Sequence, residues 1–182
     1  MDKVDQIMSS EFIFRGKFLK IIRDQVKTFS GKIWFREYIH HPGAAMVIPE
    51  LPNGKLLIIR QYRHALKRYF YEFPAGKIDS GENSKQTAIR ELKEETGYDV
   101  QNIHLLTQIH PCIGYANEKI DIYFATDLSA GVASLDEGED LTLQEMSFNE
   151  LMELVQKGQV SDVKTQIGLF WYEKIKEKKW SF

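Results

Sequence analysis

One stretch, residues 76–98 (GKIDSGENSKQTAIRELKEETGY), constrains the possible folds of this chain more than any other. Glu91, Glu94 and Glu95 lie three and four positions apart, offsets that bring side chains together on one face of an α-helix. At about 100° per residue, the three carboxylates span an arc of roughly 100°. Their mutual repulsion becomes attraction when a cation lies among them, and hard divalent cations such as Mg²⁺ prefer oxygen ligands of this kind. A solvated, glutamate-rich helix face is the alternative interpretation.

The residues around the acidic cluster predict a loop followed by a helix. Asn83 suits the N-cap, Gln86 completes a capping box, and Gly97 suits the left-handed position that ends a helix. Arg90 can reach Glu94 at the i+4 offset. The acidic face is expected to be exposed, whereas a neighbouring arc should face a core: Ala88, Ile89, Leu92 and Thr96.

Length and composition narrow the class of protein. A chain of 182 residues forms one domain, or one domain with an added lobe. Its net charge of −2 argues against a general nucleic-acid surface. Cys112 is the single cysteine, so an internal disulfide is impossible. No stretch approaches the roughly 20 apolar residues of a membrane span, and the first ten residues lack a signal-peptide core. The expected protein is therefore cytoplasmic, with neither nucleic acid nor membrane as a partner.

The remaining pattern predicts an α/β protein with α/β/α layers and a mixed sheet. Residues 1–42 read as an N-terminal antiparallel β lobe and residues 43–182 as the main domain. Asn53-Gly54 predicts a hairpin between strands 44–49 and 55–61. Ser147 and Glu150 predict a capping box. The final helix is expected to face the core with five apolar residues: Val163, Ile167, Phe170, Trp171 and Ile175.

The acidic stretch resembles the full signature of the Nudix hydrolases. Gly76 is followed after five residues by Glu82 and after seven more by Arg90-Glu91-Leu92, then Glu94-Glu95 and Gly97. The one departure is Tyr98, where an aliphatic residue is usual. The resemblance extends over roughly residues 11–178.

Further motifs resemble the ADP-ribose pyrophosphatase and nucleoside-diphosphate-sugar hydrolase branch of that family. The matching segments are His41 to Ala44, Gln61-Tyr62-Arg63 and Pro74-Ala75-Gly76. The chain departs from the branch at Cys112-Ile113-Gly114, where Ser-Pro-Gly is usual. The resemblance implies cleavage of ADP-ribose, or a related nucleoside diphosphate sugar, to a nucleoside monophosphate and a sugar phosphate.

The same resemblance implies a set of site residues. The metal, Mg²⁺ with Mn²⁺ as a possible substitute, would be held by Glu91, Glu95, the Ala75 carbonyl and Glu139. Glu94 is the next candidate ligand. Arg90 and Glu82 would hold the loop and the helix in shape. Glu137 is the candidate general base, with Glu118 or a box glutamate as the next choice.

Substrate contacts are the least constrained part of the site. Arg63 and Arg36 are candidates because a guanidinium binds phosphate oxygens in a bidentate manner, although either could form a surface ion pair instead. Glu118, after the proline-bearing loop, is a third candidate. The N-terminal lobe has too few strands to be stable alone, which predicts either that it covers the main sheet or that it pairs with a second chain in a homodimer.

Three functions are compatible with these residues. The first is the pyrophosphatase described above. The second is a Nudix enzyme acting on nucleoside triphosphates, dinucleoside polyphosphates or capped RNA. The third is a non-catalytic nucleotide-sugar sensor, against which the intact box glutamates argue.

Overall fold

The structure, a computed structural model, describes residues 4–135 and 140–181. The chain divides into two compact units, Met1–Pro42 with His110–Lys119, and Gly43–Ile109 with Ile120–Phe182. In the described part of the chain, no helix is long and apolar enough to cross a membrane.

The first unit is a three-stranded antiparallel sheet, as predicted. Its strands β1 (Gln6–Arg15), β2 (Lys20–Lys27) and β3 (Ile33–Ile39) lie in sequence order. The segment His110–Lys119 joins this unit through backbone hydrogen bonds of Ile39 with Tyr115 and Asn117, at 2.8 and 3.2 Å. A segment distant in sequence therefore completes the lobe.

The second unit holds seven strands and three α-helices in its described residues. The strands are β4 (Ala44–Pro49), β5 (Leu56–Arg63), β6 (Arg68–Glu72), β7 (Ala75–Lys77), β8 (Tyr98–Ile109), β9 (Ile120–Ala130) and β10 (Leu141–Met146), and the helices are α1 (Ser84–Thr96), α2 (Phe148–Gln156) and α3 (Val163–Lys176). One sheet has the order β7-β4-β9-β8, with β4 and β9 parallel, and is therefore mixed. The other sheet is antiparallel, with the order β10-β5-β6.

The prediction that β4 and β5 pair as a hairpin around Asn53-Gly54 is wrong. The turn itself forms, with Gly54 at φ 78° and the Leu51 N–H donating to Lys55 O at 2.8 Å. Beyond a single bridge between Glu50 and Leu56, however, β4 and β5 enter different sheets. The local turn signal was correct, and the choice of strand partner was made by distant residues.

Strand β4 lies at the centre of the layers and is buried on both faces. Ala44, Met46 and Ile48 pack in a cluster with Leu151 of α2 and Leu169 of α3. The alternate residues of β4, Ala45 and Val47, pack instead against the other helix in a second cluster that includes Ala88 and Leu92. Helix α1 therefore covers one face of the mixed sheet, and α2 and α3 cover the opposite face. The predicted α/β/α arrangement is confirmed.

The core-facing side of α3 includes Ile167, as predicted, but otherwise differs from the prediction. Val163 and Phe170 are exposed, and the buried residues of the helix are Thr165, Gly168, Leu169 and Tyr172. A Cβ on Gly168 would lie 2.8 Å from Met46 Cε, so this glycine sets a close approach of α3 to β4. An apolar pattern cannot reveal a helix face built around glycine and threonine.

Candidate active site

Helix α1 begins and ends where local chemistry predicts. Asn83 Oδ1 accepts from the Gln86 N–H at 3.0 Å, and Gln86 Oε1 accepts from the Asn83 N–H at 2.9 Å. Gly97 ends the helix with φ 77°, its N–H donating to Lys93 O at 2.8 Å. These caps satisfy backbone groups that a helix end leaves unpaired. They also fix which residues of α1 face the sheet.

Two glutamates of α1 converge on the backbone of the short strand β7. Glu95 Oε2 accepts from the Ala75 N–H at 3.1 Å. Glu91 lies against Gly76 so closely that a Cβ there would stand 1.7 Å from Glu91 Oε1. Pro74 O accepts from the Val47 N–H at 2.9 Å, which holds this backbone on the central sheet. Both carboxylates therefore lie against the first two residues of β7, Ala75 and Gly76.

A single guanidinium holds the acidic cluster together. Arg90 Nη1 donates to Glu91 Oε1 at 2.9 Å and to Glu94 Oε2 at 2.8 Å, so the predicted i+4 contact is present. Arg90 Nε and Nη2 donate to the two oxygens of Glu82 at 3.0 and 3.1 Å. Thr87 Oγ1 donates to Glu82 at 2.7 Å. Carboxylates that would repel one another are thus bridged and oriented by one cation.

These contacts set the charge of the cluster. Hydrogen bonds from Arg90, then from Thr87, lower the pKa of Glu82 to about 2. The hydrogen bond with Glu82 raises the pKa of Arg90 in turn. Within residues 4–135 and 140–181, no three His, Cys, Asp or Glu side chains are grouped so that they could hold a metal ion. The Arg90 guanidinium is instead the cation that lies among Glu82, Glu91 and Glu94.

The expectation of an exposed acidic face is wrong for two of its members. Glu95 is only 3% exposed, and the side chain of Glu91 is 12% exposed. Of the expected core arc, Ala88, Leu92 and Thr96 are buried. Packing against β7 and the central sheet encloses the side of the cluster that the helix pattern alone assigned to solvent.

Arg63 is held by a buried acid that the sequence did not single out. Its Nε and Nη2 donate to the two oxygens of Glu72, each at 2.7 Å. Lys164 Nζ also contacts Glu72 Oε2, at 2.5 Å. A charged residue inside the apolar run of residues 69–74 was the available signal, because buried carboxylates are almost always paired. Arg63 thus forms an ion pair, while its side chain stays 44% exposed.

Four further expected site residues are Arg36, Glu118, Glu137 and Glu139. Arg36 and Glu118 belong to the first unit, where Arg36 Nη2 pairs with Asp5 at 3.2 Å and Glu118 lies 3.8 Å from His41 Nε2. Glu137 and Glu139, the expected general base and fourth metal ligand, lie outside the described residues.

The ion pairs of Arg90 predict a pH-dependent effect of its removal. The lowered pKa of Glu82 contributes stability above about pH 4.5, and that stability is lost as pH falls towards about 2. Arg90→Met should therefore lower the thermal unfolding midpoint most at neutral pH, with the difference shrinking below about pH 4.5. The measurement is thermal unfolding against pH without divalent cations, with Lys85→Met on the same helix as control. A difference that is constant with pH would contradict this electrostatic role.

The chain is similar to several known proteins. Residues 40–165 match the family model of the NUDIX domain. The chain is 34% identical to the ADP-ribose pyrophosphatase of Bacillus subtilis, over 95% of this chain and 94% of that protein. It is 35% identical to the methanol dehydrogenase activator of Bacillus methanolicus, over 91% and 90% of the two chains. The crystal structure of an ADP compounds hydrolase shares the fold, with a TM-score of 0.85, 24% identity, and coverage of 96% and 95%. With the signature and the fold both present, the chain belongs to the NUDIX domain family.

Proposed function

We propose that this protein hydrolyses the pyrophosphate bond of ADP-ribose or a related nucleoside diphosphate sugar, giving a nucleoside monophosphate and a sugar phosphate. The observation that carries the proposal is the convergence of Glu91 and Glu95 on the backbone of Ala75 and Gly76. The substrate class is supported by the names of the relatives, which include an ADP-ribose pyrophosphatase and an ADP-sugar pyrophosphatase.

The donors at this point fit a hard divalent cation, Mg²⁺ first and Mn²⁺ as a substitute. Glu91 and Glu95 supply carboxylates and Ala75 a carbonyl, and such cations prefer oxygen ligands. When bound, the cation neutralises phosphate oxygens and lowers the pKa of a coordinated water. Glu139 is proposed as a further ligand. The match to the family, whose members use divalent metals, supports this assignment.

Three residues of the chain are proposed to orient the metal-binding acids, bind the diphosphate and accept a proton. Arg90 holds Glu91 and Glu94 in one orientation, so that these acids need no rearrangement when substrate arrives. Arg63 offers a partly exposed guanidinium to a diphosphate. Glu137 is proposed to accept the proton of the attacking water.

Turnover of a substrate panel tests the activity. In Mg²⁺, the purified protein should convert ADP-ribose to AMP and ribose 5-phosphate, and EDTA should abolish this turnover. Glu91→Gln should reduce kcat by about 10²-fold or more, because metal-based charge stabilisation contributes several kcal/mol at ~1.4 kcal/mol per tenfold. Glu145→Gln, an exposed acid on β10, is the control.

The same panel separates the alternatives. Preferential cleavage of nucleoside triphosphates or dinucleoside polyphosphates would replace the proposed substrate class. Tight binding of ADP-ribose with no product in either Mg²⁺ or Mn²⁺ would contradict an enzyme and favour a nucleotide-sugar sensor. Full activity of Glu91→Gln would contradict the metal site.

The two glutamates of the acidic loop should respond differently to metal. A positioned general base contributes about 10² to 10⁴ in rate, so Glu137→Gln should lower kcat by that factor and leave KM nearly unchanged. Glu139→Gln, having lost a metal ligand, should recover partly as Mg²⁺ is raised. The measurement is kcat against Mg²⁺ concentration for both variants. Rescue of Glu137→Gln by metal would place the base elsewhere, with Glu118 as the next candidate.

We also infer that the N-terminal lobe, residues 1–42, joins two copies of this chain in a homodimer. Its small sheet leaves many large apolar side chains exposed, and a surface of this kind marks a protein contact. The exposed set comprises Val4, Ile7, Met8, Phe12, Ile13, Phe14, Phe18, Leu19, Phe29, Ile33, Trp34 and Phe35.

Substitution on the lobe tests the dimer. The wild-type protein should have twice the chain mass by light scattering at micromolar concentration. Trp34→Lys, at a residue that is 59% exposed, should shift the mass towards that of one chain, because a buried charge opposes association. Phe170→Lys, at an exposed aromatic on α3, should leave it unchanged. A wild-type monomer with full activity would contradict the dimer. Activity lost by monomeric Trp34→Lys would support substrate contacts from the lobe, Arg36 among them.

A further inference from the structure

A buried carboxylate joins three elements beside the acidic cluster. Glu72, at the end of β6, has a side chain that is 3% exposed. Arg63 at the end of β5 holds both of its oxygens, each at 2.7 Å. Lys164, in the first turn of α3, contacts Oε2 at 2.5 Å and is itself 13% exposed. Two cations from elements far apart in sequence thus share one buried acid.

The first turn of α3 holds Lys164 in position. Asp162 is the N-cap of the helix, and its Oδ2 accepts from the Thr165 N–H at 3.0 Å. The same oxygen pairs with Lys164 Nζ at 3.0 Å. Thr165 Oγ1 in turn accepts from the N–H of Phe73 at 3.1 Å. The N-terminus of α3 therefore binds both the Phe73 backbone and the Glu72 side chain, in the segment that leads to Ala75.

The ionised state of Glu72 follows from these partners. Burial alone raises the pKa of a carboxyl, but the hydrogen bond from Arg63 and the charge of Lys164 outweigh it, so that the pKa of Glu72 lies below its usual range. An ionised acid is what a bidentate guanidinium contact requires. Glu72 can therefore fix the plane of the Arg63 guanidinium.

The contact with Glu72 uses one edge of the Arg63 guanidinium. A guanidinium has five N–H donors, and Glu72 engages Nε and Nη2, which leaves Nη1 on the other side. The hydrogen bond to Glu72 is the main cause of the raised pKa of Arg63, and the charge of Glu95, one proposed metal ligand, adds to it.

We propose that Glu72 and Lys164 are positioning residues, which hold the Arg63 guanidinium in the orientation that binds the substrate diphosphate. The inference rests on the proposed pyrophosphate hydrolysis and adds to it a role for α3. Lys164 contacts Oε2, the same oxygen that accepts from Arg63 Nη2, so its loss removes one of the two cations that hold the carboxylate in place.

A double-mutant cycle on Arg63 and Lys164 tests the proposal. With ADP-ribose and Mg²⁺, Lys164→Met should raise KM by about 3- to 10-fold and change kcat by less than about twofold. Lys164→Arg should restore the wild-type KM because it returns the charge. In an Arg63→Met background, Lys164→Met should have no further effect on KM. Lys157→Met, which breaks an exposed lysine pair with Glu153, is the matched control.

A spectroscopic measurement decides the same point without turnover. The Arg63 Nε–H resonance, assigned by its loss in Arg63→Lys, should exchange slowly with water in the wild type and faster in Lys164→Met. Lys164→Gln, which removes the charge but keeps an N–H donor on a shorter side chain, serves if the methionine variant does not fold. Unchanged exchange, or an equal rise of KM in both Arg63 backgrounds, would overturn the proposal. Absence of hydrolysis by the wild type would count against the proposed function, while the exchange measurement would still decide the positioning role.

Discussion

The contact on which this site depends is the sharing of one guanidinium by three carboxylates. Arg90 contacts Glu82, Glu91 and Glu94, and its positive charge offsets part of the repulsion among these acids. The fourth acid, Glu95, is stabilised separately by a backbone N–H. This division gives every acid of the cluster a hydrogen-bond donor from the protein. The same acids are then available to a divalent cation.

The fold supplies the geometry around that contact. Strand β4 binds β7 on one side and β9 on the other, and it packs against α1 with alternate side chains. The loop residues Ala75 and Gly76 and the helix that carries the glutamates are therefore both fixed to one strand. Gly76 permits the close approach, since any side chain there would occupy the space of the Glu91 carboxylate. Precise placement of a few polar atoms thus depends on apolar packing nearby.

Sequence reasoning succeeded where the determining contacts are local. The caps of α1 depend on Asn83, Gln86 and Gly97, all within or next to the helix, and these were predicted residue by residue. It failed where partners are distant in sequence. The turn before β5 was predicted correctly, but the strands that pair with β5 were not. The pairing of Glu72 with Lys164 spans 92 residues and left no periodic trace. Burial of Glu95 likewise follows from β7, a three-residue strand too short to be detected by pattern.

The central claim is that Glu91 and Glu95 meet at Ala75 and Gly76 to hold a divalent cation. Binding of Mn²⁺, followed by electron paramagnetic resonance in the absence of substrate, tests it most directly. Glu95→Gln keeps an oxygen that can accept from the Ala75 N–H but loses the charge, so Mn²⁺ affinity should fall by about tenfold or more, with the unfolding midpoint nearly unchanged. Mn²⁺ affinity equal to that of the wild type in Glu95→Gln would contradict the account.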